Sequence, residues 1–222
     1  MLKYYNTQVV FQEFPGEITL AINLTNCPNH CPECHSPWLQ EDIGKELTVE
    51  ELCKILGPYV GSEITCIGFM GGDNDVSYLF ELVEAMSESY FGFRIGWYTG
   101  KNISPEELDE HYTLYKYFDY IKTGPYVDAL GGLDKPTTNQ RMYHNIHKVR
   151  EWLDITKYFQ TMDRQFRSMV NNFDGYISYM GAVGEHWDEE HPDCPFPSLH
   201  TIYESFKLGL EKYFLENCQI DG

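Results

Sequence analysis

The chain has 222 residues, with 16 Lys and Arg against 34 Asp and Glu and a formal net charge of −18. The acidity is spread along the whole sequence, which disfavours nucleic-acid binding through phosphates. Hydrophobic residues make up 42%, enough for a packed core and too many for wholesale disorder, and no apolar run approaches the roughly 18 residues that would cross a bilayer.

The first residues, Met1-Leu2-Lys3-Tyr4-Tyr5-Asn6, lack the apolar core of a secretory signal, so a cytoplasmic location is expected. Short apolar pieces run to a break at Pro15-Gly16. The stretch Ile18–Leu24 then reads as a buried strand. It leads into a polar, proline-containing loop with three cysteines, Cys27, Cys31 and Cys34, and this loop extends through Pro37 and Trp38. Thr48-Val-Glu-Glu51 is a capping box, predicting a helix from Val49 to about Tyr59.

A second strand is predicted over Glu63–Met70, ending at the turn cluster Gly71-Gly72-Asp73-Asn74-Asp75. Apolar residues at Val76, Leu79, Phe80, Val83 and Met86 have helical spacing. Phe91–Tyr98 reads as a third strand, ending at Thr99-Gly100. Ser104-Pro105-Glu106-Glu107 starts a helix expected to reach about Tyr117, and Phe118–Lys122 reads as a fourth strand. A Gly- and Pro-containing segment, residues 123–136, precedes Thr137-Thr-Asn-Gln-Arg141.

Short strands alternating with helices of about a dozen residues indicate βα units and a parallel sheet. Residues 142–160 are ambiguous: Trp152–Phe159 fits an edge strand or a helical turn equally well. Beyond 160, His186-Trp-Asp-Glu-Glu-His191-Pro-Asp193-Cys194 is dense in metal-ligand types but meets no established metal spacing, so it reads as a solvated acidic loop. Ser198 caps a helix expected to run to about Asn217 and to pack on the domain. Its apolar face holds Leu199, Ile202, Tyr203, Phe206, Leu210 and Phe214.

The seven cysteines are an odd number with lopsided spacing. Cys27, Cys31 and Cys34 cluster, Cys53, Cys66, Cys194 and Cys218 are scattered, and Cys53 and Cys66 read as buried hydrophobes. Three explanations of the cluster compete on spacing. The first is a four-iron cluster with three thiolate ligands, leaving one iron without a protein ligand and open to a small molecule. The second is a structural zinc completed by His30 or His35, although no second ligand pair lies nearby. The third is a chance group of buried cysteines, which the polar loop disfavours.

Position favours the cluster. The loop follows the first strand of a βα array, where open α/β sheets bind their ligands. The cysteine loop together with Gly71-Gly72-Asp73 resembles the radical S-adenosylmethionine superfamily. Gly124-Pro-Tyr126, Gly131-Gly-Leu-Asp134 and Thr137-Thr-Asn-Gln-Arg141 are similar to the family of activating proteins of anaerobic ribonucleoside-triphosphate reductase. The likeness runs in order through about residue 145.

The resemblance implies an α/β fold, a partial (βα) barrel of mostly parallel strands, over residues 1–160. Residues 161–222 would form a C-terminal helical extension. It also implies a [4Fe-4S] cluster on Cys27, Cys31 and Cys34, and S-adenosylmethionine as the cofactor. Glu33 and His35 would line the cofactor through backbone atoms, and Gly71, Gly72 and Asp73 would meet its amino group. Tyr98, Thr99 and Gly100 would border its ribose, and Thr138, Asn139 and Gln140 would reach it from the far side.

The implied activity is that of a radical oxidoreductase that cleaves S-adenosylmethionine reductively. A hydrogen atom is then taken from a glycine of the partner, the anaerobic ribonucleotide reductase large subunit, leaving a glycyl radical. A one-electron donor such as flavodoxin or ferredoxin would be needed, and neither nucleic acid nor membrane. Two positions depart from the superfamily pattern: Glu33 stands where an aromatic residue is common, and Asp73 where Glu often follows the Gly-Gly pair.

Overall fold

A computed structural model describes residues 1–88, 92–107, 117–146 and 151–161. The strands are β1 (Lys3–Val10), β2 (Thr19–Leu24), β3 (Lys45–Glu46), β4 (Cys66–Met70), β5 (Arg94–Tyr98), β6 (Tyr120–Thr123), β7 (Arg141–Ile146) and β8 (Glu151–Asp154). The helices are α1 (Val49–Leu56), α2 (Val76–Glu88) and a short helix over Thr156–Thr161. All eight strands join one sheet in the order β3-β1-β2-β4-β5-β6-β7-β8.

The centre of the sheet, β2-β4-β5-β6, is parallel. It comes from the βα alternation read in the sequence, because parallel neighbours need a long crossover between them. Both flanks are antiparallel: β1 pairs with β2 and β3, and β7 pairs with β6 and β8. The expectation of mostly parallel strands therefore holds for the core of the sheet, and the sheet as a whole is mixed. Hairpin-like returns supply the flanks; strands β1, β3 and β7 have no counterpart in the sequence reading. Trp152–Phe159 resolves into both of its readings, a strand to Asp154 and then a helix from Thr156.

The helix starts follow their caps. Thr48 Oγ1 accepts the Glu51 N–H at 3.1 Å, and α1 ends at Leu56 in a 3₁₀ turn over Gly57–Tyr59. Asp75 Oδ1 accepts the Tyr78 N–H at 3.2 Å at the start of α2. Ser104 and Glu107 exchange both bonds of a capping box, while residues 108–116 of the expected helix lie outside the described residues. The C-terminal extension and its Ser198–Asn217 helix also lie outside them, apart from Thr161. No helix among the described residues is long and apolar enough to cross a membrane.

Register sorts the sheet into two faces, since paired residues share a side. Ile22, Phe69, Trp97 and Ile121 are aligned across the parallel strands and pack with Leu52, Leu56, Leu79, Phe80 and Val83 of α1 and α2. Ala21, Gly68, Gly96 and Tyr120 are aligned on the other face. There Phe14 lies across the two glycines; a Cβ at Gly96 would fall 2.1 Å from its ring, and one at Gly68 2.9 Å. Its ring stacks on Tyr120 at 5.3 Å and meets Tyr98 edge-on at 5.4 Å. Met142, Ile155, Tyr158 and Phe159 complete this second core. The paired glycines thus form a seat for one aromatic plug from the segment before β2.

At the N-terminal ends of the parallel strands, buried Glu17 pairs with Arg94 at 3.2 Å and accepts the Tyr120 hydroxyl at 3.1 Å. Burial raises the Glu17 carboxyl above its ordinary value, and the Arg94 charge opposes this only in part. Cys66, at the start of β4 beside it, is a buried thiol, as expected; Cys53 is exposed on α1, contrary to expectation.

Two outcomes test this arrangement. Phe14→Ala should destabilise the protein by about 3–5 kcal/mol in urea unfolding, the range for emptying a buried aromatic site. Because the folded state raises Glu17's pKa, its contribution is full below the ordinary carboxylate pKa and is lost as pH rises through the raised value. Glu17→Gln should therefore flatten the fall in urea midpoint with rising pH across that window; an unchanged slope would assign it to another group.

Candidate functional site

The cysteine loop leaves β2 at Leu24 and lies over the C-terminal ends of the parallel strands. Its backbone is shaped at three points. Asn26, His30 and Glu33 have φ of 60°, 42° and 57°, and among the described residues they are the only non-glycines in the left-handed region. Each immediately precedes a cysteine. Asn and His enter this region more readily than most residues, and Glu does so at a cost of about 1–2 kcal/mol. The chain therefore turns before Cys27, Cys31 and Cys34 alike, and all three are half-buried free thiols.

The following residues brace the loop. The Cys27 N–H donates to Leu39 O at 3.1 Å, the Asn26 N–H to Glu41 O at 3.0 Å, and Gln40 Nε2 to Cys31 O at 3.4 Å. Two donors reach the sulfurs themselves: Asn29 Nδ2 lies 3.6 Å from Cys27 Sγ, and the Ser36 N–H 3.4 Å from Cys34 Sγ. The two histidines that could complete a zinc site face elsewhere, His30 toward Gln40 Oε1 at 3.5 Å and His35 against the Tyr126 ring at 4.7 Å. Among the described residues no group of three or more His, Cys, Asp and Glu is gathered to hold a single metal ion.

The strand ends meet the loop one after another. Gly71 and Gly72 follow β4 with φ of 110° and 99°, a conformation suited to glycine, and a Cβ at Gly72 would crowd Leu24 at 3.0 Å. Gly71 is held to β5 through its N–H on Tyr98 O at 3.0 Å and its carbonyl under Trp97 Nε1 at 2.9 Å. Asp73 has no free carboxylate: Asn29 Nδ2 and the Gly100 N–H each donate to Oδ2 at 2.7 Å, and Thr99 Oγ1 donates to Oδ1 at 2.5 Å. The Tyr98 hydroxyl donates to Glu13, whose Oε2 lies at 2.8 Å.

Thr138, Asn139 and Gln140 stand at the turn into β7 and grip the segment after β6. Asn139 Nδ2 donates to Pro125 O at 2.9 Å and Gln140 Nε2 to Gly124 O at 3.4 Å, while Thr138 Oγ1 donates to Gly131 O at 3.1 Å. Gly124, at φ 93°, packs against this turn. Asn139 Oδ1 is buried with no hydrogen-bond partner. Glu33 and His35 are both exposed.

The structure thus gathers Cys27, Cys31, Cys34, Glu33, His35, Gly71, Gly72, Asp73, Tyr98, Thr99 and Gly100 at one edge of the sheet. Asn139 and Gln140 join them at second hand, through the Gly124–Tyr126 loop, and Thr138 is bonded to Gly131 instead.

Three participants were not singled out from the sequence: Asn29, Glu13 and Lys122. Lys122 shares its register row with Met70 and Tyr98, at the end of β6. Its ammonium lies 5.6 Å over the Tyr98 ring and donates to Gly124 O at 3.1 Å. Burial pushes it down to about 8, against the pull of the charges on Cys31, Asp73, Glu13 and Cys34. A lone cation closing an apolar strand was the available signal.

The donor set suits a cluster: soft thiolates on one loop, N–H groups on two of the sulfurs, and a nearby ammonium to offset negative charge. Residues 15–145, more than half of the chain, match the 4Fe-4S single cluster domain family. The chain belongs to that family, and Cys27, Cys31 and Cys34 lie within the matched residues. Comparison with curated proteins gave no match, and neither did comparison with solved structures.

Anaerobic reconstitution should give a brown protein with about four iron and four sulfide per chain. Cys34→Ser should lose most of that iron, whereas Cys53→Ser, on the exposed side of α1, should keep it; equal retention in both would remove Cys34 from the ligand set.

Proposed function

We propose that the protein is a radical S-adenosylmethionine enzyme with a partial-barrel fold, and that it activates an anaerobic ribonucleotide reductase by making a glycyl radical. The observation that carries this reading is the ligand count at the site. The loop offers three half-buried thiols. Of the other cysteines, Cys53 is on α1 and Cys66 starts β4, at the opposite edge of the parallel strands from the loop. Cys194 and Cys218 lie outside the described residues. A cube with three thiolates keeps one iron for a small ligand. When bound, the cluster and S-adenosylmethionine supply one-electron cleavage of a carbon–sulfur bond and a 5′-deoxyadenosyl radical that takes hydrogen from a glycine Cα.

The chain's own residues position and shield. Gly71 and Gly72 offer backbone without side chains where the methionine amino group would approach. Asp73, its carboxylate already filled by three donors, contributes only backbone to that contact. The shorter Asp in place of the superfamily's Glu fits this division of labour. Tyr98, its hydroxyl tied to Glu13 and its ring beneath the Lys122 ammonium, would border the ribose with Thr99 and Gly100 beside it. Asn139 and Gln140 close the far side and keep Gly124–Tyr126 against the loop. Glu33 and His35 border the cofactor through their backbone. The hydrogen comes from a glycine of the reductase large subunit, and a flavodoxin or ferredoxin supplies the electron.

The test mixes reduced, reconstituted protein with S-adenosylmethionine and an anaerobic ribonucleotide reductase large subunit. Electron paramagnetic resonance should show a glycyl radical doublet, absent when Cys34→Ser replaces the native protein. Release of 5′-deoxyadenosine without a doublet would redirect the reading to a small-molecule substrate or another glycyl-radical protein. A colourless protein holding one zinc would sink it.

A further inference from the structure

The turn between Cys27 and Cys31 holds Asn29, a side chain that the cysteine spacing does not mark. Asn29 Nδ2 faces two acceptors, Asp73 Oδ2 at 2.7 Å and Cys27 Sγ at 3.6 Å. An amide nitrogen carries two hydrogens, one for each. Asp73 is acceptor-only when ionised, so it dictates which end of the Asn29 amide points inward. Were the amide reversed, its oxygen would face both a carboxylate and a thiolate. Asp73 is itself immobilised from β5 by Thr99 Oγ1 and the Gly100 N–H.

Gly100 supplies the space. A Cβ there would stand 2.2 Å from Asn29 Nδ2 and 2.7 Å from its Cγ, and the three nearest atoms to that Cβ all belong to Asn29. Gly100 is not among the positive-φ glycines, so its backbone alone would admit alanine.

We propose that Asn29 is a positioning residue for the cluster: oriented by Asp73 and seated against Gly100, its amide donates a hydrogen bond to the Cys27 ligand sulfur. Three strand-end residues, Asp73, Thr99 and Gly100, thereby act on the cluster through one side chain of the cysteine loop. Hydrogen bonds to ligand sulfurs stabilise the reduced, more negative cluster and raise its potential. The inference rests on the cluster alone; it holds whether or not S-adenosylmethionine is the cofactor.

The experiment is a redox titration of the full chain, reconstituted anaerobically, followed by electron paramagnetic resonance without S-adenosylmethionine. Asn29→Ala should move the midpoint to more negative potential. Gly100→Ala should move it the same way, because its methyl displaces the amide. The double variant should titrate with Asn29→Ala, since the methyl then has nothing to displace. An Asn29→Ala midpoint equal to that of the native protein at full iron content overturns the proposal, and so do additive shifts. Should Asn29→Ala fail to retain iron, Gly100→Ala decides alone, and a native midpoint there overturns the proposal. Failure to cleave S-adenosylmethionine alongside the expected shifts would count against the activase reading and leave the role of Asn29 intact.

Discussion

Three parallel ladders with matched register govern this molecule. Because β2, β4, β5 and β6 run the same way, their four following turns emerge at one edge, and residues distant in sequence become neighbours without reaching. Cys27, Asp73, Gly100 and Gly124 each lie a few residues beyond a strand end. The same constraint sends Glu17, Cys66 and Arg94 to the opposite edge, where the Glu17–Arg94 ion pair is kept away from the cysteine loop. The glycine pair at Gly68 and Gly96 depends on that alignment too. One step of slip would separate the two and leave no seat for Phe14.

Contacts that cross between turns tie the polar site together. Asn29 to Asp73, Asp73 to Thr99 and Gly100, and His35 to Tyr126 each link a different pair of loops. Side chains expected to face a ligand are largely spent on this bracing. Asp73 and Thr99 point at each other, Tyr98 is tied to Glu13, and Gln140 to Gly124. What remains on offer at the edge is mainly thiol, glycine backbone and the Lys122 ammonium.

The central strands and the caps were legible because their signals are local. Apolar runs bounded by turns gave β2, β4, β5 and β6 within a few residues, and Thr48 with Glu51 marked the start of α1. The missed strands, β1 and β7, owe their form to partners rather than to their own pattern. The alternation in Lys3–Val10 is broken by a register shift between Tyr4 and Asn6, and β7 is paired antiparallel on both sides, with β6 and β8. Phe14 and Asn29 were illegible for a further reason. A plug is recognised only with its socket, and Gly68 and Gly96 lie more than fifty residues downstream. The cysteine spacing stood out because three cysteines between positions 27 and 34 are a purely local signal.

The left-handed residues before each cysteine bear on how this loop tolerates change. At Asn26, His30 and Glu33 the requirement falls on backbone hand, and all three side chains point to solvent. Drift at these positions is therefore filtered by conformation before chemistry. Glycine, asparagine or aspartate would be accepted with ease, while valine, isoleucine and threonine would be purged even though nothing crowds them. Glu33 is then an occupant of a conformational slot rather than of a chemical one. The identity of the residue there is free to follow whatever surface comes to lie against the loop.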